Sequence, residues 1–168
     1  MKKLLILFFA FSIVTVFAQE TSNITSITTR LILIRHAEKK ENSKDPELSE
    51  EGNLRAQKLN DLFMDVKIDK LYSTPYNRTK QTLEVIATKN SLEIENYNPN
   101  DPTFSSTLLN NNIGKTVLVV GHSNTIPTLA NKLIGENKYK QLEENEFGKI
   151  WILTFLDKNL SDCVLLNY

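Results

Sequence analysis

Two four-residue stretches constrain this chain more than anything else in it. Leu31-Ile32-Leu33-Ile34 and Val117-Leu118-Val119-Val120 are unbroken apolar runs with polar residues on both sides. A strand with one wet face alternates apolar and polar residues. A continuous run suits a strand covered on both faces, as in a parallel sheet between helices. Helical patterns fall in the intervals between strands. Ser49-Glu50-Glu51 opens the first, with Ser49 as N-cap and acids in the opening turn. Leu54, Leu59, Leu62 and Phe63 are its expected apolar stripe. Residues 68–72 form a second short strand. Pro75 is placed to start the next helix, which carries Thr79, Leu83, Ile86 and Ala87. A weak strand is expected over 92–97 and a helix over 104–112. Another helix follows over 124–134, stopped by Gly135. Residues 150–156 and 163–166 read as a closing hairpin turned by Asp157-Lys158-Asn159. This alternation predicts an α/β fold: a three-layer α/β/α sandwich around a mostly parallel central sheet.

A length of 168 residues fits one such domain. The first 18 residues read as a secretory signal peptide. Lys2 and Lys3 precede an apolar run over 4–17, and Val16-Phe17-Ala18 stands before Gln19 as the cleavage site. The run is shorter than the ~20 residues a spanning helix requires. Cleavage after Ala18 would leave 150 residues with a net charge of −2. Residues 19–29, rich in Thr and Ser, read as a flexible linker, and 30–168 as the folded domain. The expectation is an exported protein, periplasmic or secreted, with no stable membrane association once the signal is removed. The whole chain has balanced charge, 20 Lys and Arg against 20 Asp and Glu, which offers no footprint for nucleic acid. Cys163 is the single cysteine, so no intramolecular disulfide forms, and with only two histidines a Cys/His zinc site is not expected.

Those two histidines occupy equivalent places. Ile34 is followed by Arg35-His36, and Val120 by Gly121-His122-Ser123-Asn124. Tyr72 is followed by Ser73-Thr74-Pro75 and then, shortly after, Arg78. Ligands of open α/β sheets bind at the carboxyl ends of the strands. If the three strands are parallel neighbours, Arg35, His36, Arg78 and His122 meet on one rim. Arginine presents a planar fork of donors suited to phosphate oxygens. A partly neutral histidine can attack phosphorus with one ring nitrogen while the other is held by a hydrogen bond. A second, protonated histidine would stabilise charge on the equatorial oxygens. The free N–H groups of a helix starting near Ser123 would point at the same spot. Taken singly, a histidine after a strand is commonly a satisfied turn residue, and Arg78 suits a solvated helix. It is the coincidence of position that points to a phosphate site, one that calls for neither metal nor cofactor.

At these residues the chain resembles the histidine phosphatase superfamily, with its phosphoglycerate mutase-like fold. Leu33-Ile34-Arg35-His36-Ala37-Glu38 resembles the family's Arg-His-Gly signature, with Ala37 in place of glycine. Leu48-Ser49-Glu50-Glu51-Gly52-Asn53-Leu54-Arg55-Ala56 is similar to its first-helix segment. The stretch from Tyr72 to Thr82 is similar to its second-arginine motif, and Val119-Val120-Gly121-His122-Ser123-Asn124 to its second-histidine motif. The resemblance implies a metal-independent phosphatase acting on a phosphomonoester or phosphoramidate through a phosphohistidine on His36. Arg35, Arg78 and His122 would hold the phosphoryl group. Asn124, from its position, could contact phosphate or a substrate hydroxyl, and is equally well explained as a helix N-cap.

Leaving-group protonation requires an acid about 3 Å from the bridging oxygen. Glu38 is the first candidate, alongside the simpler reading that it orients a neighbouring arginine. Asp45, Glu93, Glu95 and Asp101 follow it. The expected partner is a small phosphorylated substrate or a phosphoprotein. The competing reading is a non-catalytic phosphate-recognising module of the same fold. A phosphoglycerate mutase fits poorly, because export would remove it from glycolysis.

Overall fold

A computed structural model describes residues 26–168. The signal peptide and most of the linker lie outside the described residues. Six strands and four helices follow in the order β1 (Thr28–Arg35), α1 (Glu50–Leu62), β2 (Lys70–Ser73), α2 (Asn77–Asn90), β3 (Ile94–Asn96), α3 (Phe104–Asn110), β4 (Thr116–Gly121), α4 (Thr125–Ile134), β5 (Lys149–Leu156) and β6 (Asn159–Asn167). They form one sheet in the order β3-β2-β4-β1-β5-β6. The first four strands in that order run parallel, while β5 pairs antiparallel with β1 and β6 antiparallel with β5.

The apolar runs lie where their composition demands, in β1 and β4 at the centre of the sheet. Residues 31–34 and 117–120 are at most 2% exposed. Successive side chains alternate between the two faces. Leu31, Leu33, Val117 and Val119 pack with Ile126, Leu129 and Ala130 of α4 and Leu108 of α3. Ile32, Ile34, Leu118 and Val120 pack with Leu59 of α1 and with Leu83 and Ile86 of α2. Two cores, one on each side of the sheet, give the expected three layers. The closing hairpin turns at Asp157 and Lys158, both with positive φ (47° and 70°), a turn whose twist matches that of paired strands.

Two local expectations are corrected. Leu54 and Leu62 do not belong to the buried stripe of α1, being 62% and 49% exposed. The buried residues of α1 are Gly52, Ala56, Leu59 and Asn60, the first two of them small. The reason is close approach. The first turn of α1 rests on the backbone that follows His36, and a Cβ at Gly52 would stand 2.1 Å from the Glu38 carbonyl oxygen. The second correction concerns α2, which starts at Asn77 rather than at Pro75. Tyr76 is still extended (φ −111°, ψ 147°), because the Ser73-Thr74-Pro75 segment runs across the end of the sheet before the helix begins. The expected N-cap of α1 is in place: the Gly52 amide donates to Ser49 Oγ at 3.0 Å.

Candidate active site

Register explains why the site assembles. Arg35, the last residue of β1, lies opposite Gly121, the last of β4, and Ser73 at the end of β2 lies opposite Val120. His36 and His122 are each one residue beyond a paired position on adjacent parallel strands. The His36 amide donates to the Gly121 carbonyl at 2.9 Å, extending the ladder by one more bond. The two imidazoles therefore meet edge to face, with centroids 5.4 Å apart. Together with Arg35, Arg78, Ser123 and Asn124 they line a cavity of about 260 Å³. Lys39, Ser43, Lys44 and Pro46 form one wall of it, and Glu144 stands at the mouth.

Hydrogen bonding fixes the state of each histidine. His36 Nδ1 lies 2.7 Å from the Ala37 carbonyl oxygen, which can only accept, so Nδ1 carries the proton. Nε2 is then the nitrogen with a free lone pair. His122 has the opposite tautomer. Arg78 Nη2, always a donor, approaches His122 Nδ1 at 3.3 Å, so Nδ1 accepts. Nε2–H donates to Thr74 Oγ1 at 2.9 Å. Thr74 Oγ1 donates to Thr79 Oγ1 at 3.1 Å, and the Thr79 hydroxyl shares its one proton between the carbonyls of Thr74 and Tyr76. Thr74 and Thr79 are fully buried, so this chain is held away from water. Burial pushes the His36 pKa down to about 3, with His122, Arg78 and Arg35 adding to the effect against the favourable Ala37 bond. Burial, then Arg78 and Arg35, lowers His122 to about 4. Both rings are neutral near pH 7.

Arg35 is 2% exposed. Its Nη1 donates to the carbonyls of Glu143 and Glu146 at 2.6 and 3.0 Å, and the Phe147 ring centroid lies 4.1 Å from its guanidinium carbon. Its Nε is buried without a hydrogen-bond partner. A buried unpaired donor costs about 1–3 kcal/mol, a deficit that an oxyanion would remove. Arg78 stands over the Tyr76 ring at 4.5 Å.

Four of the residues singled out from sequence thus meet in one cavity, and Asn124 joins them. Asn124 makes no side-chain capping bond to α4, so its amide is free toward the cavity. Glu38 is elsewhere. Its two carboxylate oxygens accept from Arg55 Nε at 2.7 and 2.9 Å, and Arg55 Nη1 donates to the Tyr168 carbonyl at 3.2 Å. Glu38 does not line the cavity; Arg55 on α1, 17 residues further on, takes its side chain away from it. The remaining carboxylates singled out do not line it either. Asp45 accepts from the Asn77 amide at 2.8 Å, Glu95 from Lys70 Nζ at 2.7 Å, and Asp101 from Thr103. Thr74 and Glu144 are additions of the structure. The Ser-Thr-Pro end of β2 was a usable signal for Thr74, because a hydroxyl just beyond a buried strand faces its neighbours' ends. Nothing local marks Glu144 within Glu143-Glu144-Asn145-Glu146.

Residues 31–98 match the family model of the histidine phosphatase superfamily (branch 1), a stretch that holds three of the four motifs and bears out the resemblance they carry. The fold is that of solved histidine phosphatases. The protein histidine phosphatase SixA complexed with tungstate is 18% identical, covers 82% of this chain and 96% of its own, and superposes with a TM-score of 0.68. A mycobacterial glucosyl-3-phosphoglycerate phosphatase is 14% identical, with coverages of 84% and 98% and a TM-score of 0.67. Phosphoserine phosphatase from Entamoeba histolytica, in complex with 3-phosphoglyceric acid, is 20% identical, with coverages of 83% and 97% and a TM-score of 0.62. At these identities the likeness is one of fold. None of the curated proteins compared with the chain matches it.

Proposed function

Taking the chain as a histidine phosphatase of branch 1, we propose that it is a metal-independent phosphohydrolase that works through a phosphohistidine on His36. One observation carries this reading. Of the two neutral imidazoles in the cavity, His36 presents an unprotonated Nε2 while its Nδ1–H is fixed to the Ala37 carbonyl. That is the arrangement of a nucleophile: a lone pair in the cavity and a hydrogen-bond acceptor behind the ring, ready to stabilise the charge that attack creates.

Arg35 Nε and Nη2, together with Arg78, bind the phosphoryl oxygens. His122 Nδ1 now accepts from Arg78 and faces the same oxygens. Burial first, then the two guanidinium charges, disfavours a proton on His122; a dianionic guest offsets those charges and accepts from Nδ1–H, so this ring takes up a proton and donates to the phosphoryl group. Nε2 of His36 bonds to phosphorus as the bond to the leaving group breaks. Water then attacks phosphorus, inorganic phosphate departs, and the imidazole is restored.

The substrate is a phosphomonoester or phosphoramidate, on a small molecule or a protein side chain, that fits a cavity lined mainly by cationic and polar groups. The amino-terminal segment, read as a secretory signal peptide, supports an exported activity. The test is hydrolysis of p-nitrophenyl phosphate in EDTA. Wild type turns over and His36→Ala does not, although the variant folds and binds phosphate. A wild type that binds phosphate but never turns over would instead mark a recognition module.

A further inference from the structure

An alkoxide leaving group must be protonated as it departs, and the residues already described supply no acid for it. His122 donates toward the phosphoryl oxygens, and Glu38 is held by Arg55. Asp45 is bonded to the Asn77 amide, Glu95 to Lys70 and Asp101 to Thr103. Among the described residues one carboxylate lines the cavity, that of Glu144 in the connection between α4 and β5.

The backbone around Glu144 is held on both sides. Arg35 Nη1 bonds the carbonyls of Glu143 and Glu146 at 2.6 and 3.0 Å. The Leu142 amide donates to the Ser123 carbonyl at 3.0 Å, and the Leu142 side chain is buried. Phe147, which follows, stacks on the Arg35 guanidinium and lies 6.1 Å from the His36 ring. On this strap the Glu144 side chain is 82% exposed, and its carboxylate stands 3.7 Å from Arg35 Nη2 without a hydrogen bond. The chain thus carries a tethered carboxylate at the mouth of the cavity, free to rotate, beside an arginine that binds phosphoryl oxygen.

We propose that Glu144 is the proton donor to the leaving group and the base for the second step. The inference rests on the phosphohistidine reading. In the first step the His36 Nε2 lone pair forms the bond to phosphorus. The bond from phosphorus to the bridging oxygen breaks, its electron pair passes to that oxygen, and the oxygen takes the proton of the Glu144 carboxyl. In the second step water attacks phosphorus and gives its proton to the Glu144 carboxylate. The P–N bond breaks, its pair returns to Nε2, and Glu144 is again protonated. Arg35 links binding to this role: once it turns to a phosphoryl oxygen, the carboxylate loses its ion-pair partner and faces a dianion.

The test compares wild type, Glu144→Gln and His36→Ala on glycerol 2-phosphate and on p-nitrophenyl phosphate. The second substrate leaves as a stabilised anion. Pre-steady-state bursts are recorded to isolate the first step. Position-specific loss of a general acid is worth about 100-fold or more. The glycerol 2-phosphate rate of Glu144→Gln is therefore expected to fall by about that factor, the p-nitrophenolate burst much less. The alkaline limb of the wild-type pH profile on glycerol 2-phosphate, where a general acid loses its proton, should change with it. Equal losses on the two substrates, or no loss on either, overturn the assignment. So does a wild type that hydrolyses only the aryl ester. Activity retained by His36→Ala overturns the underlying phosphohistidine reading instead, and a wild type inactive on both substrates overturns both.

Discussion

Replacing Thr74 by Val tests whether the tautomer of His122 matters. The substitution keeps shape and removes one hydroxyl at a site with no solvent access. In the native site His122 Nε2–H donates to Thr74 Oγ1 at 2.9 Å, which leaves Nδ1 free to accept from Arg78. Without the hydroxyl, Nε2–H is buried with no acceptor and Thr79 Oγ1 loses a donor. An unpaired buried polar group costs about 1–3 kcal/mol. The ring can avoid that cost by moving its proton to Nδ1, where it points at the Arg78 donor 3.3 Å away. Either way the protonated ring that grips the phosphoryl group has lost the acceptor for its Nε2–H, and that grip weakens. At about 1.4 kcal/mol per factor of ten, kcat/KM falls roughly 10- to 100-fold. Turnover of p-nitrophenyl phosphate gives the rate, and imidazole nitrogen NMR shifts report the tautomer. Thr74→Ser retains the hydroxyl and should recover most of the activity. A Val variant with native kcat/KM and an unchanged Nε2–H tautomer would refute the reasoning.

Two further outcomes concern stability. The His36 pKa is lowered to about 3 in the folded chain from 6.5. The unfolded chain therefore binds more protons below about pH 6.5, and stability present above that pH is lost as the pH falls toward the folded value. Between pH 7 and pH 4.5 this one group accounts for a loss of about 2–3 kcal/mol; urea unfolding at the two pH values should show a smaller loss for His36→Asn than for wild type, and an equal loss would exclude the effect. Gly52→Ala should destabilise the fold by about 1–3 kcal/mol, because its Cβ would stand 2.1 Å from the Glu38 carbonyl oxygen. The same urea midpoints read it, and a native-like midpoint would show that α1 does not press on the loop after His36.

Much of this molecule was legible from residues near one another in the chain. The buried runs 31–34 and 117–120 identify central strands because a strand covered on both faces admits no polar side chain. Chain continuity then carries Arg35-His36 and Gly121-His122 to the ends of those strands, and parallel pairing brings the two histidines within one strand spacing. Where each side chain points was decided by groups distant in sequence. Glu38 faces Arg55 rather than the cavity, because a bidentate arginine outweighs what its own loop offers. Leu54 faces solvent because α1 brings Gly52 and Ala56 against the His36 loop, and helical periodicity predicts a stripe without saying which side of the helix meets the sheet. Glu144 reaches the site because Arg35, more than a hundred residues earlier, holds its loop by two carbonyls and the Leu142 amide bonds the Ser123 carbonyl. Local pattern determines which segments are strands and helices; tautomer, ion-pair choice and the contents of the cavity depend on contacts that exist only once the chain has closed on itself.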